Sequence, residues 1–401
     1  MNLILKFELM IYWFKQIDFI FQMNTSEYLG LIDDGPDTVI FDKICNDLKN
    51  KKLKLKEILE PYSKEFKYKS LELNEVLKTY SKIVQIKKNA HKRCITMSVV
   101  KWIFYTNKIE FTGLETEEDT KNVLENNDKS KTTIKEKEVL QVFDVLKEYY
   151  NNEEKVYDHI FDIILLQKWH KKMFNDIIKN AGEFRTCGVK TNNPDCSKHR
   201  YPHHSIIKNS INNLCHLLCK LSKFIDEEKN KCSEEEHICN IIGLASFIQF
   251  HFVDIHPFLD GNGRMCIFLS KFILDTIFPI PIPMFQDRDE YINSLVNGRK
   301  SKDHNSSILL ANLIFDTSIS FYKSVIKNDL SQPLHYLISV SNVEELTVEI
   351  KKLKIEDQEK ELLIVFKELS EGDSKVIENI SFGIYDGIKI KKNVEIDWDE
   401  L

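Results

Sequence analysis

Glycine and proline are scarce, at 12 and 9 of 401 residues, or about 5% of the chain, against a usual combined share near ~12%. Both residues interrupt helices, so their scarcity excludes a turn-rich β architecture and predicts a mostly helical protein. Charge of one sign is also lacking. Lys and Arg number 56 against 62 Asp and Glu, a net charge of −6, which supplies no field for gripping a phosphate backbone and sets nucleic acid aside as a partner. No apolar run reaches the ~20 residues of a bilayer span. The first 23 residues are rich in Leu, Ile and Phe, but Lys6, Glu8, Lys15 and Asp18 break them, so neither a transmembrane helix nor a signal peptide is expected.

A disulfide framework is missing too. The nine cysteines are odd in number and irregularly spaced, which suits a reducing compartment and predicts a cytoplasmic protein. Cys215, His216, Cys219, Cys232, His237 and Cys239 could be assembled into a zinc cluster, but their spacing matches no common zinc pattern and the bland reading as helix-core residues is preferred.

Helical periodicity organises what is present. Residues 1–84 form a helical N-terminal extension. Residues 85–135 hold further helices, one running from Ser81 to Tyr105 and one beginning at Glu117, with Gly113 as a break. A core domain spans 136–325, with helices expected over 136–178 in two pieces and at about 204–226, 235–253, 262–277, 288–298 and 304–325. Within it, residues 183–203 carry Gly188, Asn192, Asn193 and Pro194 and read as a hairpin or loop. Residues 326–401 form a small α+β tail, a helix from Asp357 to Leu369 followed by strand-like alternation through Ile388 and Trp398.

One stretch carries chemistry: His256-Pro257-Phe258-Leu259-Asp260-Gly261-Asn262-Gly263-Arg264, between two apolar helices. Glycines flanking an Asn at a helix start let backbone N–H groups converge on an anion that the helix dipole also favours. Arg264 can fork onto phosphate oxygens, and Asp260 is a hard ligand suited to Mg²⁺ bridging those oxygens. His256 can accept a proton from an incoming hydroxyl. A lone His-Pro or a lone Gly-Asn-Gly is ordinarily a cap or a turn; base, carboxylate, glycine nest and Arg in this order describe phosphoryl or nucleotidyl transfer.

These nine residues match the signature of Fic (Fido) domain proteins, His-x-Phe-x-Asp/Glu-Gly-Asn-Gly-Arg-x-x-Arg. The segment from Leu166 to Thr186, the pair Tyr201-Pro202 and the stretch Tyr291 to Leu313 also resemble the family. The resemblance implies an all-α, Fic-type helical domain with a short β-hairpin flap. It implies a Mg²⁺-dependent protein adenylyltransferase using ATP, in which a target protein's Ser, Thr or Tyr hydroxyl attacks the α-phosphate. By position, His256 is the general base, Asp260 the Mg²⁺ ligand, and Asn262 and Arg264 phosphate-binding groups, with Gly261 and Gly263 offering N–H groups. The flap, Cys187 to Tyr201, would hold the target by strand addition. A homodimer is compatible with all of this.

Two departures stand out. The family's second Arg, three residues after Arg264, is Ile267 here. Either the donor differs, CDP-choline with no third phosphate being the alternative, or the chain is a non-catalytic nucleotide-binding module, or Arg288 or Arg299 substitutes in space while Ile267 packs in the core. Upstream, Thr106 to Glu110 resembles the Ser/Thr-x-x-x-Glu element of the family's inhibitory helix, which assigns Glu110 a regulatory role including, in some members, removal of AMP. The usual Gly-Asn after it is replaced by Phe111-Thr112.

Overall fold

The computed structural model describes residues 35–36, 39–86, 88–126, 132–151, 162–192, 198–301 and 305–328. The first 34 residues, and the tail from 329 with its expected helix and hairpin, lie outside the described residues. Twelve α-helices are present among them: α1 (Ile40–Lys49), α2 (Leu55–Glu65), α3 (Lys67–Ile86), α4 (Lys88–Lys108), α5 (Glu117–Asn126), α6 (Ile134–Asn151), α7 (Ile163–Phe174), α8 (Ile207–Glu228), α9 (Glu234–Ile255), α10 (Asn262–Leu274), α11 (Arg288–Ser301) and α12 (Ile308–Asn328). The two strands, β1 (Lys190–Asn192) and β2 (Lys198–Arg200), form one antiparallel hairpin with Lys190 opposite Arg200. The fold is all-α with a hairpin flap. The residues of the helix expected from Ser81 to Tyr105 are helical on both sides of residue 87, which lies outside the described residues, at the end of α3 and in α4.

α9 is the strut around which the rest is built. Ser233 caps it, its side chain accepting from Glu236 N–H, and Glu234, Glu235 and Glu236 fill the first turn where the dipole favours acids. From Ile238 onward every residue of the helix is buried, and α2, α3, α8, α10 and α12 pack around it. By length and composition it is the one described helix that could cross a membrane, yet all of its apolar window is covered by protein. A helix apolar all round belongs in a core of this kind.

The strut carries one polar orphan. His251 is fully buried among Phe41, Phe247 and Phe250, and neither ring nitrogen has a hydrogen-bond partner among the described residues. Burial pushes its pKa from 6.5 down to about 3, so the fold holds it neutral while the unfolded chain protonates it below ~6.5. Stability is therefore full above pH ~6.5 and falls as the pH drops toward 3, with a limiting slope of about 1.4 kcal/mol per pH unit for this one group. His251→Leu removes the orphan and the titration. It is expected to raise stability by ~1–2 kcal/mol at neutral pH and to flatten the acid limb by one proton, as read from urea unfolding at pH 7 and pH 5.

Candidate functional site

The strut ends at His256. This residue adopts the left-handed conformation, φ 52°, and its N–H still bonds to Phe252 O, a C-terminal cap geometry that non-glycine residues adopt at a cost. The turn stacks its imidazole on Tyr201 at 3.7 Å and 18°. Its Nδ1 lies 3.3 Å from Val253 O, so Nδ1–H donates there and Nε2 keeps its lone pair as an acceptor. Burial first, and the Arg185 guanidinium second, hold the His256 pKa well below its ordinary 6.5. The ring is neutral at physiological pH.

Arg185 clamps the same corner. Its Nε donates to His256 O at 2.7 Å, its other nitrogens to Cys187 O at 2.7 Å and Pro202 O at 2.6 Å, and its own N–H donates to Pro257 O. The base of the flap is thus tied to the loop that bears the histidine. One turn further, Phe258 pairs with Phe184 in an isolated bridge and stacks on His170 at 3.7 Å. His170 Nδ1 accepts from Gly182 N–H at 2.8 Å, which leaves Nε2–H to donate to Asp260 O at 3.0 Å. Burial lowers this histidine's pKa to about 4, so both bonds persist at neutral pH.

Asn262 closes the loop. Its side-chain oxygen accepts from Phe258 N–H at 2.9 Å and its amide donates to Phe258 O at 2.8 Å. Both ends of the side chain are spent on the loop's own backbone, so Asn262 acts here on the shape of the nest. Gly261, at φ +77°, is required twice over, since a Cβ there would also stand 2.6 Å from the Phe174 ring. Asp260 accepts from Gly261 N–H at 2.6 Å through one carboxylate oxygen. No hydrogen bond to its other oxygen is formed among the described residues.

The N-terminus of α10 is covered by Glu110. The carboxylate lies so close over Gly263 that a Cβ on that glycine would meet its Oε1 at 1.6 Å. A carboxyl group therefore already sits against the first turn of the helix, the end at which the dipole favours negative charge. Burial raises the Glu110 pKa, with Arg264 and Arg288 pulling the other way and Asp260 adding to the rise. Glu110 follows the end of α4 in a turn closed by Glu110 N–H to Asn107 O and Thr112 N–H to Asn107 O, at 3.0 and 3.1 Å. The next residue, Phe111, has φ 56° and is 72% exposed. Gly or Asn suits that left-handed position, which gives the Phe111 substitution a physical cost on the order of 1 kcal/mol.

Arg264 is buried, and it is not free. Its Nη1 donates to Glu138 Oε1 at 3.0 Å, both side chains are less than a tenth exposed, and its guanidinium lies 4.5 Å above the Phe174 ring. The second oxygen of Glu138 accepts from Gly113 N–H at 2.8 Å. Ile267 is fully buried in the core. Of the two arginines considered as stand-ins for it, Arg299 is bound to Asp254 at 3.0 Å, whereas Arg288 donates to Ile109 O at 2.8 Å beside Glu110.

The structure thus gathers His256, Asp260, Gly261, Gly263 and Glu110 at one loop, with Asn262 and Arg264 turned into the protein. Sequence reasoning missed Glu138, His170, Arg185 and Tyr201. His170, Arg185 and Tyr201 fell within segments noted for their resemblance but without a role, and Glu138 sits in an ordinary Lys/Glu-rich helix. No group of three or more His, Cys, Asp or Glu able to hold a metal exists among the described residues, and Cys215 and Cys239 are core residues.

An all-helical core with a histidine loop leading into a glycine nest is the plan of one known domain class, and the comparisons agree. The Fic/DOC family model matches residues 160–274. A Fido domain-containing protein of Dictyostelium discoideum is 40% identical over 87 residues, which covers 21% of this chain and 61% of that protein's length. A Fic family protein from Desulfovibrio desulfuricans G20 superposes with a TM-score of 0.51 at 16% identity, covering 73% of this chain and 85% of its own. A Fic domain-containing signalling protein from Bacteroides thetaiotaomicron VPI-5482 gives 0.52 at 17% identity, covering 64% and 96%. Residues 160–274 of this chain thus match a Fic/DOC domain, and the chain is similar to Fic and Fido domain proteins.

Proposed function

We propose that the chain is a Fic-type transferase that moves AMP from ATP to a Ser, Thr or Tyr hydroxyl of a target protein, and that Glu110 holds it in an inhibited state. The observation that carries this reading is the Glu110 carboxylate over Gly263. It supports reading the nest as an anion site, on the same short loop as a neutral imidazole with an open nitrogen.

In the proposed reaction the target hydroxyl gives its proton to Nε2 of His256 as its oxygen bonds to the α-phosphorus. The bond from that phosphorus to the bridging oxygen breaks, and pyrophosphate leaves with the electron pair. The Val253 bond and the Tyr201 stack hold the ring in the tautomer and direction this needs. N–H groups at Gly261 and Gly263 would hold phosphate oxygens. Asp260 fits Mg²⁺, which binds through one or two carboxylates with phosphates and water completing its shell. Such an ion contributes charge neutralisation on the phosphates. The flap between Lys190 and Arg200 offers backbone to an extended target segment, the mode expected of strand addition.

Ile267 supports a second reading, since a fully buried aliphatic side chain offers nothing to a third phosphate. A donor such as CDP-choline then replaces ATP. One assay separates the two. Glu110→Gly protein with Mg²⁺ and a cell extract is given α-labelled ATP or labelled CDP-choline in parallel. Protein labelling from ATP, reduced ~10²-fold or more by adding His256→Ala, is expected. Labelling from CDP-choline alone overturns the donor assignment, and ATP binding without labelling from any donor makes the chain a binding module.

A further inference from the structure

The cations around the nest are unequally available. Arg264 carries a buried counter-ion, Glu138. Arg299 is committed to Asp254. Position 267 is aliphatic and fully buried. Arg288, in the first turn of α11, differs from all of these because it forms no ion pair with any carboxylate among the described residues. It is held instead by two weaker ties, its Nε donating to Ile109 O at 2.8 Å and its guanidinium lying 4.3 Å above the Phe111 ring.

Those ties have a particular address. Ile109 and Phe111 are the residues on either side of Glu110. The turn that seats the carboxylate over Gly263 also occupies the Arg288 guanidinium. A displacement of this turn removes the anion from the nest and strips Arg288 of both partners in the same event. The result is an empty anion site with a newly unsatisfied, planar cation beside it. A guanidinium of that kind binds phosphate with charge-assisted, forked hydrogen bonds.

We propose that Arg288, delivered from α11, receives the outer phosphates of the nucleotide donor and is kept in reserve by the turn around Glu110. This inference rests on the nucleotide-transfer reading above. It makes inhibition a double act, one residue blocking the phosphate seat while its two neighbours withhold a ligand of the phosphate. It also lets a site with an aliphatic residue at position 267 take a triphosphate, since the missing charge arrives from another helix.

The test is titration calorimetry with Mg²⁺ on Glu110→Gly protein and on the same protein carrying Arg288→Ala or Arg288→Lys, using ATP, ADP and AMP as probes. Removing a charged hydrogen-bonding partner of phosphate is expected to weaken ATP binding by about ten- to a hundredfold. AMP binding should change less than about threefold, and lysine should restore part of the ATP affinity. Thermal melts establish that each variant is folded. Equal ATP affinity with and without Arg288→Ala overturns the assignment while leaving the transfer reading intact. Loss of AMP and ATP binding in parallel also overturns it, since Arg288 would then support the site's shape. If Glu110→Gly protein binds none of the three nucleotides, the nucleotide-transfer reading itself fails, and this inference with it.

Discussion

Replacing Glu138 by alanine is expected to cost about 3–5 kcal/mol of folding stability, the usual consequence of leaving one partner of a buried ion pair behind. Glu138 and Arg264 are almost wholly excluded from water. Without the carboxylate, a guanidinium with one nitrogen, Nε, already unpartnered stays buried against the Phe174 ring. The Gly113 N–H loses its acceptor as well. Replacing both members of the pair by apolar residues of similar size, Glu138→Leu with Arg264→Met, is expected to recover most of the loss, because the desolvation of two charges disappears along with their attraction. Chemical denaturation of the three proteins decides it. A single variant within about 1 kcal/mol of the parent would mean that Arg264 can find another counter-ion, and that Glu138 does not fix it.

The second large effect is at Glu110. Glu110→Gly is expected to tighten nucleotide binding by ~10- to 100-fold, the range for one charge-assisted contact now available to the ligand in place of an internal competitor. The substitution leaves the strut, the His256 cap and the Asn262 closure untouched, so calorimetry should show the gain without a comparable change in melting behaviour. Unchanged nucleotide affinity would mean that the carboxylate over Gly263 does not compete for the site.

Much of the fold was legible because its signals are local. The start of α5 at Glu117, the α9 and α10 pair and the hairpin follow from periodicity, acidic first turns and turn residues that act within a few positions. The nest was legible for the same local reason, since His256 to Arg264 runs without interruption from the cap of α9 into the first turn of α10. Direction was not. Nothing in Asn262 shows that both ends of its amide will be consumed by Phe258. The partners that orient the site are distant in sequence: Glu138 is 126 positions from Arg264, His170 is 90 from Asp260 and Arg185 is 71 from His256. A buried carboxylate in a Lys/Glu-rich helix looks like any solvated one until the fold brings its arginine to it.

The position of His256 at the tip of α9 has a further consequence. A helix covered on every side opens only when the whole domain melts, whereas the corner after α4, with an exposed aromatic in an unfavourable backbone state, can detach at far smaller expense. The proposed base and the proposed inhibitory carboxylate are therefore mounted on parts with very different rigidity. In the proposed reaction the acceptor for the proton would stay fixed to the frame, and the timing would be left to a few residues at the rim.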